Sequence, residues 1–156
     1  MMTMLLKSIL IFIFVVISIS DWRTHKIPDR WNAGILLVAV LLALVDSSVS
    51  WQERILGMFA VSVPMACLLF FVPGSFGGGD IKLMAVCGLL LGGPRIIAAA
   101  FLSVVSGGGY AIWLLASHKA GRGSHFAFGP FLAAGVVLSL LYGDKLLAWY
   151  LGFLRG

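Results

Sequence analysis

Two carboxylates stand out because each lies beside an apolar stretch in a chain with few acids. Asp80 follows the run Gly77, Gly78 and Gly79, and Asp21 comes directly after the first apolar run. The chain has only six Asp and Glu residues. A carboxylate at the centre of a membrane helix costs about 2.5–3.5 kcal/mol on insertion scales, so an acid kept there is a candidate functional group. Two such acids predict a pair of carboxyl groups that shares one proton.

The glycine-rich segment before Asp80 predicts a flexible, closely packed approach to a helix. Glycine permits positive φ angles and lets neighbouring helices approach each other. The structural alternative for Asp80 is an N-cap, a position that Asp favours. Further along, Gly129 and Pro130 open the last apolar run. They are either a simple helix start or a packing surface for a site.

Asp21 and Asp29 lie at either end of a short polar segment. The alternative for Asp21 is a carboxylate that marks a helix end and pairs with Arg23 or Lys26. Asp29 is expected to be the N-cap of the second helix, and a role as the catalytic partner is its alternative. Lys82 is expected to extend its charged end to lipid headgroups.

The thiols and imidazoles form no pattern typical of a metal site. Cys67 and Cys87 lie inside apolar stretches and form no CxxC pair, so we expect buried, inert thiols. His25, His118 and His125 are scattered over two polar segments and are expected to be solvated. We therefore expect no metal and no cofactor.

The composition indicates a membrane protein. The 156 residues are 61% hydrophobic and 11% charged, and the mean hydropathy is +1.07. A polytopic membrane protein needs this much apolar surface, whereas a soluble domain of this size does not. The net charge of +5 fits loop Lys and Arg residues that contact anionic lipid. No basic stripe is long enough for nucleic acid, so the expected partner is the lipid bilayer.

Apolar runs predict an all-α bundle of about six transmembrane helices, since each span needs about 20 residues. The runs cover residues 4–20, 33–45, 55–72, 81–91, 96–116 and 126–142. A last amphipathic turn through Trp149 and Tyr150 is expected to extend the sixth helix. Pro64 is expected to kink the third helix, and Gly107 to allow close packing or a kink in the fifth. The short polar connections predict one domain over residues 1–156.

A secretory signal peptide is the alternative for the first run, but the charges follow this run rather than precede it, which favours a retained helix. Loops 21–32, 73–82 and 117–125 carry Arg23, Lys26, Arg30, Lys82, Lys119 and Arg122. The intervening loops carry Arg54 and Arg95, and the terminal segments add Lys7, Lys145 and Arg155 to that other side. The loop bias predicts that Asp21 and Asp80 share the cytoplasmic side.

Taken together, three segments resemble the type IV prepilin peptidases, membrane-embedded aspartyl proteases of the GxGD type. The segments are Asp21 with Ile27-Pro28-Asp29, Gly77-Gly78-Gly79-Asp80-Ile81-Lys82-Leu83-Met84-Ala85, and Phe128-Gly129-Pro130-Phe131-Leu132-Ala133. Their order and their positions between apolar runs cover nearly the whole chain.

The resemblance implies that Asp21 and Asp80 are the catalytic pair. It implies that supporting or substrate-binding positions are Gly77, Gly78, Gly79, Lys82, Asp29, Gly129 and Pro130. It also implies cleavage of the short basic leader of prepilins or pilin-like secretion pseudopilins, on the cytoplasmic side of the bacterial inner membrane. Larger members carry a cytoplasmic domain with paired CxxC motifs and methylate the new N-terminus. Because this sequence has no CxxC, we expect a member with peptidase activity alone.

Two other functions stay open. A small proton- or cation-coupled transporter would use Asp21 and Asp80 to bind its ion. It predicts charges near mid-span, whereas both acids lie at helix ends. A non-catalytic subunit of a pilus or secretion machine would tolerate the loss of either aspartate.

Overall fold

The computed structural model is an all-helical bundle and describes residues 2–74, 76–117 and 127–155. Its helices are α1 (Met2–Thr24), α2 (Asp29–Val45), α3 (Trp51–Phe71), α4 (Gly78–Leu91), α5 (Gly93–Ala116) and α6 (Gly129–Arg155). Within these described ranges no residue is in a strand. The predicted class, an all-α multi-pass membrane protein with six helices, is confirmed.

The helices differ in length. Among the described helices, α1, α3 and α5 are long and apolar enough to cross a membrane, judged by length and composition. In contrast, α2 has 17 residues and α4 has 14. The latter is about 21 Å long, less than the hydrocarbon core of about 30 Å. Large apolar side chains point outward from α1 and α3, as expected for a surface that contacts lipid: Leu5, Phe12, Val15, Leu56, Phe59, Phe70.

Local sequence explains the start of α3, the end of α4 and the start of α5. Ser50 and Glu53 form a reciprocal cap at the start of α3, in which each side chain accepts the other residue's backbone N–H. Gly92 ends α4 with a φ of +80°, which an L side chain rarely adopts. Pro94 follows in the first turn of α5, where its missing N–H is not needed.

The shortest helix, α4, lies at the centre of the bundle and packs against α2, α3, α5 and α6. Its side chains Leu83, Met84 and Cys87 are fully buried. They belong to one apolar core with fully buried side chains of the neighbouring helices, such as Leu10, Phe14, Ile17, Ile35, Ile96, Leu132 and Val136. In the first turn of α4, Asp80 lies on the buried side of the helix, whereas Gly78 is exposed.

Glycines allow two helix pairs to approach backbone to backbone. Gly57 of α3 faces Gly88 of α4, and a Cβ on Gly57 would lie 2.5 Å from the carbonyl oxygen of Gly88. Gly135 of α6 similarly faces Ser103 of α5. The close packing expected at Gly107 is also present, since a Cβ there would lie 2.5 Å from the Phe128 ring.

Some expectations need correction. Cys87 is buried as predicted, but Cys67 is exposed because it lies on the outer surface of α3. The fourth helix begins at Gly78 instead of residue 81, and α6 begins at Gly129 instead of residue 126. The extension of the sixth helix is present in the backbone through Arg155. Predictions that fall outside the described residues concern His118, Lys119, Arg122, His125 and the side chains of Trp149 and Tyr150.

Candidate active site

Asp21 and Asp80 lie at the same end of the bundle. Asp21 is in the last turn of α1 and Asp80 is in the first turn of α4. Both residues are buried, with 5% and 8% of their surface exposed. The segments that hold the two acids meet, since the ring centroids of Phe76 and Phe128, one residue before Gly77 and Gly129, are 5.6 Å apart. The structure thus brings together two acids that are 59 positions apart in the chain.

The Asp21 carboxylate is held by the backbone of α6. Its Oδ2 accepts the N–H of Gly129 at 2.9 Å. A Cβ on Gly129 would lie 2.6 Å from that oxygen, so only glycine fits without displacement. Pro130 follows as the second residue of α6, where a proline is tolerated. The alternative for Asp21, an ion pair with Arg23 or Lys26, is not found among the described residues, in which Lys82 and Asp29 form an ion pair.

The Asp80 carboxylate is held by the chain that leads into its own helix. Gly77 is the N-cap of α4, and Asp80 is the third residue of that helix. The N–H of Gly77 donates to Oδ2 of Asp80 at 3.2 Å. The structural alternative for Asp80, a position as the N-cap, is therefore wrong, since Asp80 lies three residues after the N-cap. The Asp80 carboxylate nevertheless accepts a hydrogen bond from a backbone N–H at the start of α4, where such groups have no partner inside the helix.

The three glycines before Asp80 have different surroundings. A Cβ on Gly79 would lie 3.0 Å from Cβ and 3.2 Å from the carbonyl oxygen of Ile27. A Cβ on Gly78 would meet no atom within 4 Å. A Cβ on Gly77 would lie 3.3 Å from Oδ2 of Asp80. Gly79 is thus the position where the α1–α2 connection packs against α4.

Asp29 and Lys82 form an ion pair at the same end. Lys82 Nζ lies 2.9 and 2.8 Å from the two carboxylate oxygens of Asp29. Asp29 is the first residue of α2 and Pro28 is the N-cap, so the N-cap expectation for Asp29 is wrong. Both side chains are largely exposed. The pair connects the start of α2 to a position two residues after Asp80.

An open groove runs beside Asp21 on the outside of the bundle. It has a volume of about 270 Å³ and is lined by Ser18, Ile19, Trp22, Arg23 and Pro130. A row of three aromatic rings begins at Trp22 in this groove. The ring centroids of Trp22 and Tyr110 are 6.4 Å apart, and those of Tyr110 and Trp113 are 5.8 Å apart. Trp and Tyr are enriched at membrane–water interfaces.

One buried polar side chain near the start of α2 was missed in the sequence. Asn32 is 5% exposed, and neither side-chain polar atom has a hydrogen-bond partner among the described residues. It lies on the buried face of α2 together with Ile35 and Ala39. The sequence does contain a signal, because Asn32 lies just before a long apolar run. A buried amide is normally hydrogen-bonded, so one without a partner is unusual.

The arrangement is suited to acid–base chemistry. One ionised carboxylate accepts a proton from water while a protonated neighbour donates a hydrogen bond. Within the described ranges, no group of three or more His, Cys, Asp or Glu side chains is placed to hold a metal ion. His25 is exposed directly after α1, and its φ of +50° places it in the left-handed conformation common at helix ends.

Comparisons with known proteins show the family to which the chain belongs. A model of the type IV leader peptidase family matches residues 8–112. A prepilin leader peptidase/N-methyltransferase of Bacillus subtilis (strain 168) is 30% identical over 148 residues, which cover 95% of this chain and 60% of the relative. Proteins of the same name from Aeromonas hydrophila and Legionella pneumophila are 28% and 24% identical, and each match covers 92% of this chain.

The chain spans about half to three fifths of the length of these relatives, with shares of 60%, 51% and 52%. No solved structure matches it. The match to the family model includes the end of α1, the start of α4 and both aspartates. The chain belongs to the type IV leader peptidase family.

Proposed function

We propose that this chain is an aspartic endopeptidase of the bacterial inner membrane that removes the basic leader peptide of prepilins or pilin-like secretion proteins. Asp21 and Asp80 are the catalytic pair, and the proposal covers one membrane domain over residues 1–156. The proposal concerns leader cleavage alone, and within these 156 residues the two cysteines form no CxxC motif. The observation that carries it is the pair of buried carboxyl groups at one end of the bundle, each held by the backbone N–H of a glycine at a helix start.

The proposed mechanism uses the two carboxyl groups as one unit. Two carboxylates close together do not both ionise readily, so they share a proton. The ionised group takes a proton from a water molecule, whose oxygen attacks the scissile carbonyl carbon, while the protonated group hydrogen-bonds the carbonyl oxygen. The C–N bond then breaks as the leaving nitrogen takes up the proton that came from the water. The pair titrates together, so neither role is assigned to Asp21 or Asp80 alone. The N–H groups of Gly129 and Gly77 keep the two carboxyl groups in place.

The location of the pair supports a substrate that crosses the membrane boundary. A leader rich in Lys or Arg stays in the cytoplasm, while the apolar segment behind it enters the bilayer. The peptide bond between them then lies at the interface. The exposed Trp22 and Trp113 at the aspartate end support this depth. The groove beside Asp21 offers an apolar path for the segment that stays in the bilayer.

The geometry favours a peptidase over the two alternatives. A transporter needs its ion-binding carboxylates near the middle of the spans, whereas Asp21 lies in the last turn of α1 and Asp80 lies in the first turn of α4. An assembly subunit has no requirement for two buried acids that cost energy to keep. Family membership argues in the same direction.

The test is leader cleavage by the full chain, co-expressed with a prepilin and measured as a size shift of the pilin on a gel. Asp21→Asn and Asp80→Asn should each lower the cleavage rate by more than about 100-fold, since acid–base residues contribute 10²–10⁴-fold. The matched control is Glu53→Gln, which also changes a carboxylate to an amide. Gln serves as well as Glu in the cap of α3, so cleavage should be unchanged.

Each variant must also be present in the membrane at the wild-type level. Full cleavage by either aspartate variant would remove that residue from the catalytic pair. If the wild type cleaved neither a prepilin nor a pilin-like secretion protein, the peptidase proposal would be wrong for these substrates, and proton flux in proteoliposomes would then test the transporter alternative.

A further inference from the structure

A buried amide lies at the aspartate end of the bundle, and the chemistry described so far does not use it. Asn32 is the single asparagine of the chain, and 5% of its surface is exposed. Neither its Oδ1 nor its Nδ2 has a hydrogen-bond partner among the described residues. Such an amide lowers stability, because it gives up water without a replacement. A polar side chain that is kept at this cost requires an explanation.

The first turn of α2 places Asn32 at this end of the bundle. Asp29 is the first residue of α2 and Asn32 is the fourth, about 4.5 Å further along the helix axis. The ion pair between Asp29 and Lys82 joins the start of α2 to the start of α4. Lys82 comes two residues after Asp80, the third residue of α4. The two helices therefore begin at the same end, and Asn32 and Asp80 lie in their first turns.

The buried face of α2 turns Asn32 toward the helices that carry the acids. Asn32 lies on this face together with Ile35 and Ala39. Within the part of the chain that the structure describes, α2 packs mainly against α1 and α4. Asp21 is in the last turn of α1 and Asp80 is in the first turn of α4. The side chain of Asn32 is therefore buried between the two acid-bearing helices, at the end where the acids lie.

The chemistry of an amide suits this place. The side chain offers one acceptor oxygen and two N–H donors. A buried polar group without a protein partner is normally hydrogen-bonded to ordered water, and such a water needs about two to four polar partners. The amide and the two carboxyl groups can supply that number. A water bridge is nearly as favourable as a direct hydrogen bond. A side chain that only filled space here would be apolar, like Ile35.

We propose that Asn32 is a positioning residue, whose side-chain amide hydrogen-bonds the pair of Asp21 and Asp80 through a bound water molecule. This inference rests on the proposed peptidase function. The backbone N–H groups of Gly129 and Gly77 each hold one oxygen of the pair, and the water held by Asn32 orients the pair from the side of α2. In this role Asn32 does not touch the substrate, so its loss should lower kcat and leave KM nearly unchanged.

The first measurement does not depend on peptidase activity and uses the single asparagine of the chain. The purified full chain in detergent, labelled with nitrogen-15 in the asparagine side chain, gives one side-chain amide signal by NMR. Bound water should transfer magnetisation to this amide, and the signal should shift in Asp21→Ala or Asp80→Ala. The matched control is Asp46→Ala at the other end of α2, which should leave the signal in place. No transfer from water, or the same shift in all three variants, would overturn the proposal.

The second measurement separates positioning from a structural role. Asn32→Leu has nearly the same size but no polar group, so its melting temperature in detergent should equal or exceed that of the wild type. Its kcat for leader cleavage should nevertheless fall more than about 10-fold, with KM within about twofold. Asn32→Ser can still hold a water molecule and should recover most of the kcat. The control Gln52→Leu removes an exposed amide at the start of α3 and should change neither kcat nor melting temperature.

An unchanged kcat in Asn32→Leu would contradict the positioning role of Asn32. A lower melting temperature in Asn32→Leu, with no recovery of kcat in Asn32→Ser, would replace it with a purely structural role. If the wild type cleaved none of its proposed substrates, the peptidase function would be wrong, and the amide signal would still decide whether Asn32 is linked to the two acids.

Discussion

The N–H of Gly129 donates a 2.9 Å hydrogen bond to Oδ2 of Asp21 across 108 positions of the chain. The first turn of a helix leaves its N–H groups without partners inside the helix. α6 can therefore hold this carboxylate without losing a bond of its own. The position of a proposed catalytic oxygen thus depends on how α6 packs against α1.

Gly129→Ala should lower the rate of leader cleavage by more than about 10-fold, because small misplacements of catalytic groups are costly. The added Cβ would lie 2.6 Å from Oδ2 and 2.8 Å from Cγ of Asp21. The matched control is Gly108→Ala in α5, where a Cβ meets no atom within 4 Å. The measurement is the initial rate of cleavage of one prepilin at equal enzyme levels. Equal rates for Gly129→Ala and Gly108→Ala would contradict a positioning role for Gly129.

Gly79→Ala should impair cleavage and lower the melting temperature, whereas Gly78→Ala should do neither. The Cβ at Gly79 would press on Cβ and the carbonyl oxygen of Ile27, while the Cβ at Gly78 is in open space. Ile27→Ala should not rescue Gly79→Ala, because the crowded atoms remain. The cleavage rate and the melting temperature in detergent are measured for both glycine variants. Equal values for Gly79→Ala and Gly78→Ala would refute the close contact between Gly79 and Ile27.

Asp29→Asn should retain substantial cleavage activity. Its ion pair with Lys82 is largely exposed, with 71% and 60% of the two side chains accessible, and exposed pairs contribute about 0–1 kcal/mol. A double-mutant cycle with Lys82→Gln should give a coupling energy below about 1 kcal/mol that falls as salt is added. If Asp29→Asn were as inactive as Asp21→Asn, Asp29 would have to be considered a catalytic partner.

Gly88→Ala should destabilise the bundle by about 1–3 kcal/mol, the usual range for overpacking a tight core. Its Cβ would collide with the backbone of Gly57 in α3. The control is Gly34→Ala in α2, whose Cβ would lie 3.9 Å from the Ile13 side chain. That change should be neutral or stabilising, because alanine is the better helix former. Chemical denaturation in detergent measures the free energy of unfolding of both variants. A decrease of similar size in Gly88→Ala and Gly34→Ala would count against the close approach of α3 and α4.

The features that the sequence could predict are those that depend on composition and on neighbouring residues. Scarce acids beside apolar runs identified Asp21 and Asp80 as candidates. The apolar runs gave the number of helices and their approximate positions. The start of α4 lies three residues before the apolar run, because glycines can join a helix, and that of α6 lies three residues after the start of its run, at the Gly129-Pro130 pair, where proline is favoured in the first turn.

The remaining features depend on contacts between distant parts of the chain. Local sequence favours Asp29 as an N-cap, but the Lys82 ammonium group on another helix offers its carboxylate a charged partner. Asp21 has Arg23 and Lys26 nearby in sequence, yet its partner is a backbone N–H of α6. The sequence indicates that Arg54 is an ordinary loop cation. In the structure it is buried, and carbonyl groups at the ends of α2 and α4 accept hydrogen bonds from its guanidinium group.

The hydrogen bond between Gly129 and Asp21 also has a consequence during synthesis. Asp21 and Asp80 both leave the ribosome well before α6. A nascent chain that already contains both acids still lacks the N–H that orients the first of them. The Asp21 carboxyl group therefore acquires its final geometry only when α6 joins the bundle, whereas the hydrogen bond that holds Asp80 can form as soon as α4 does.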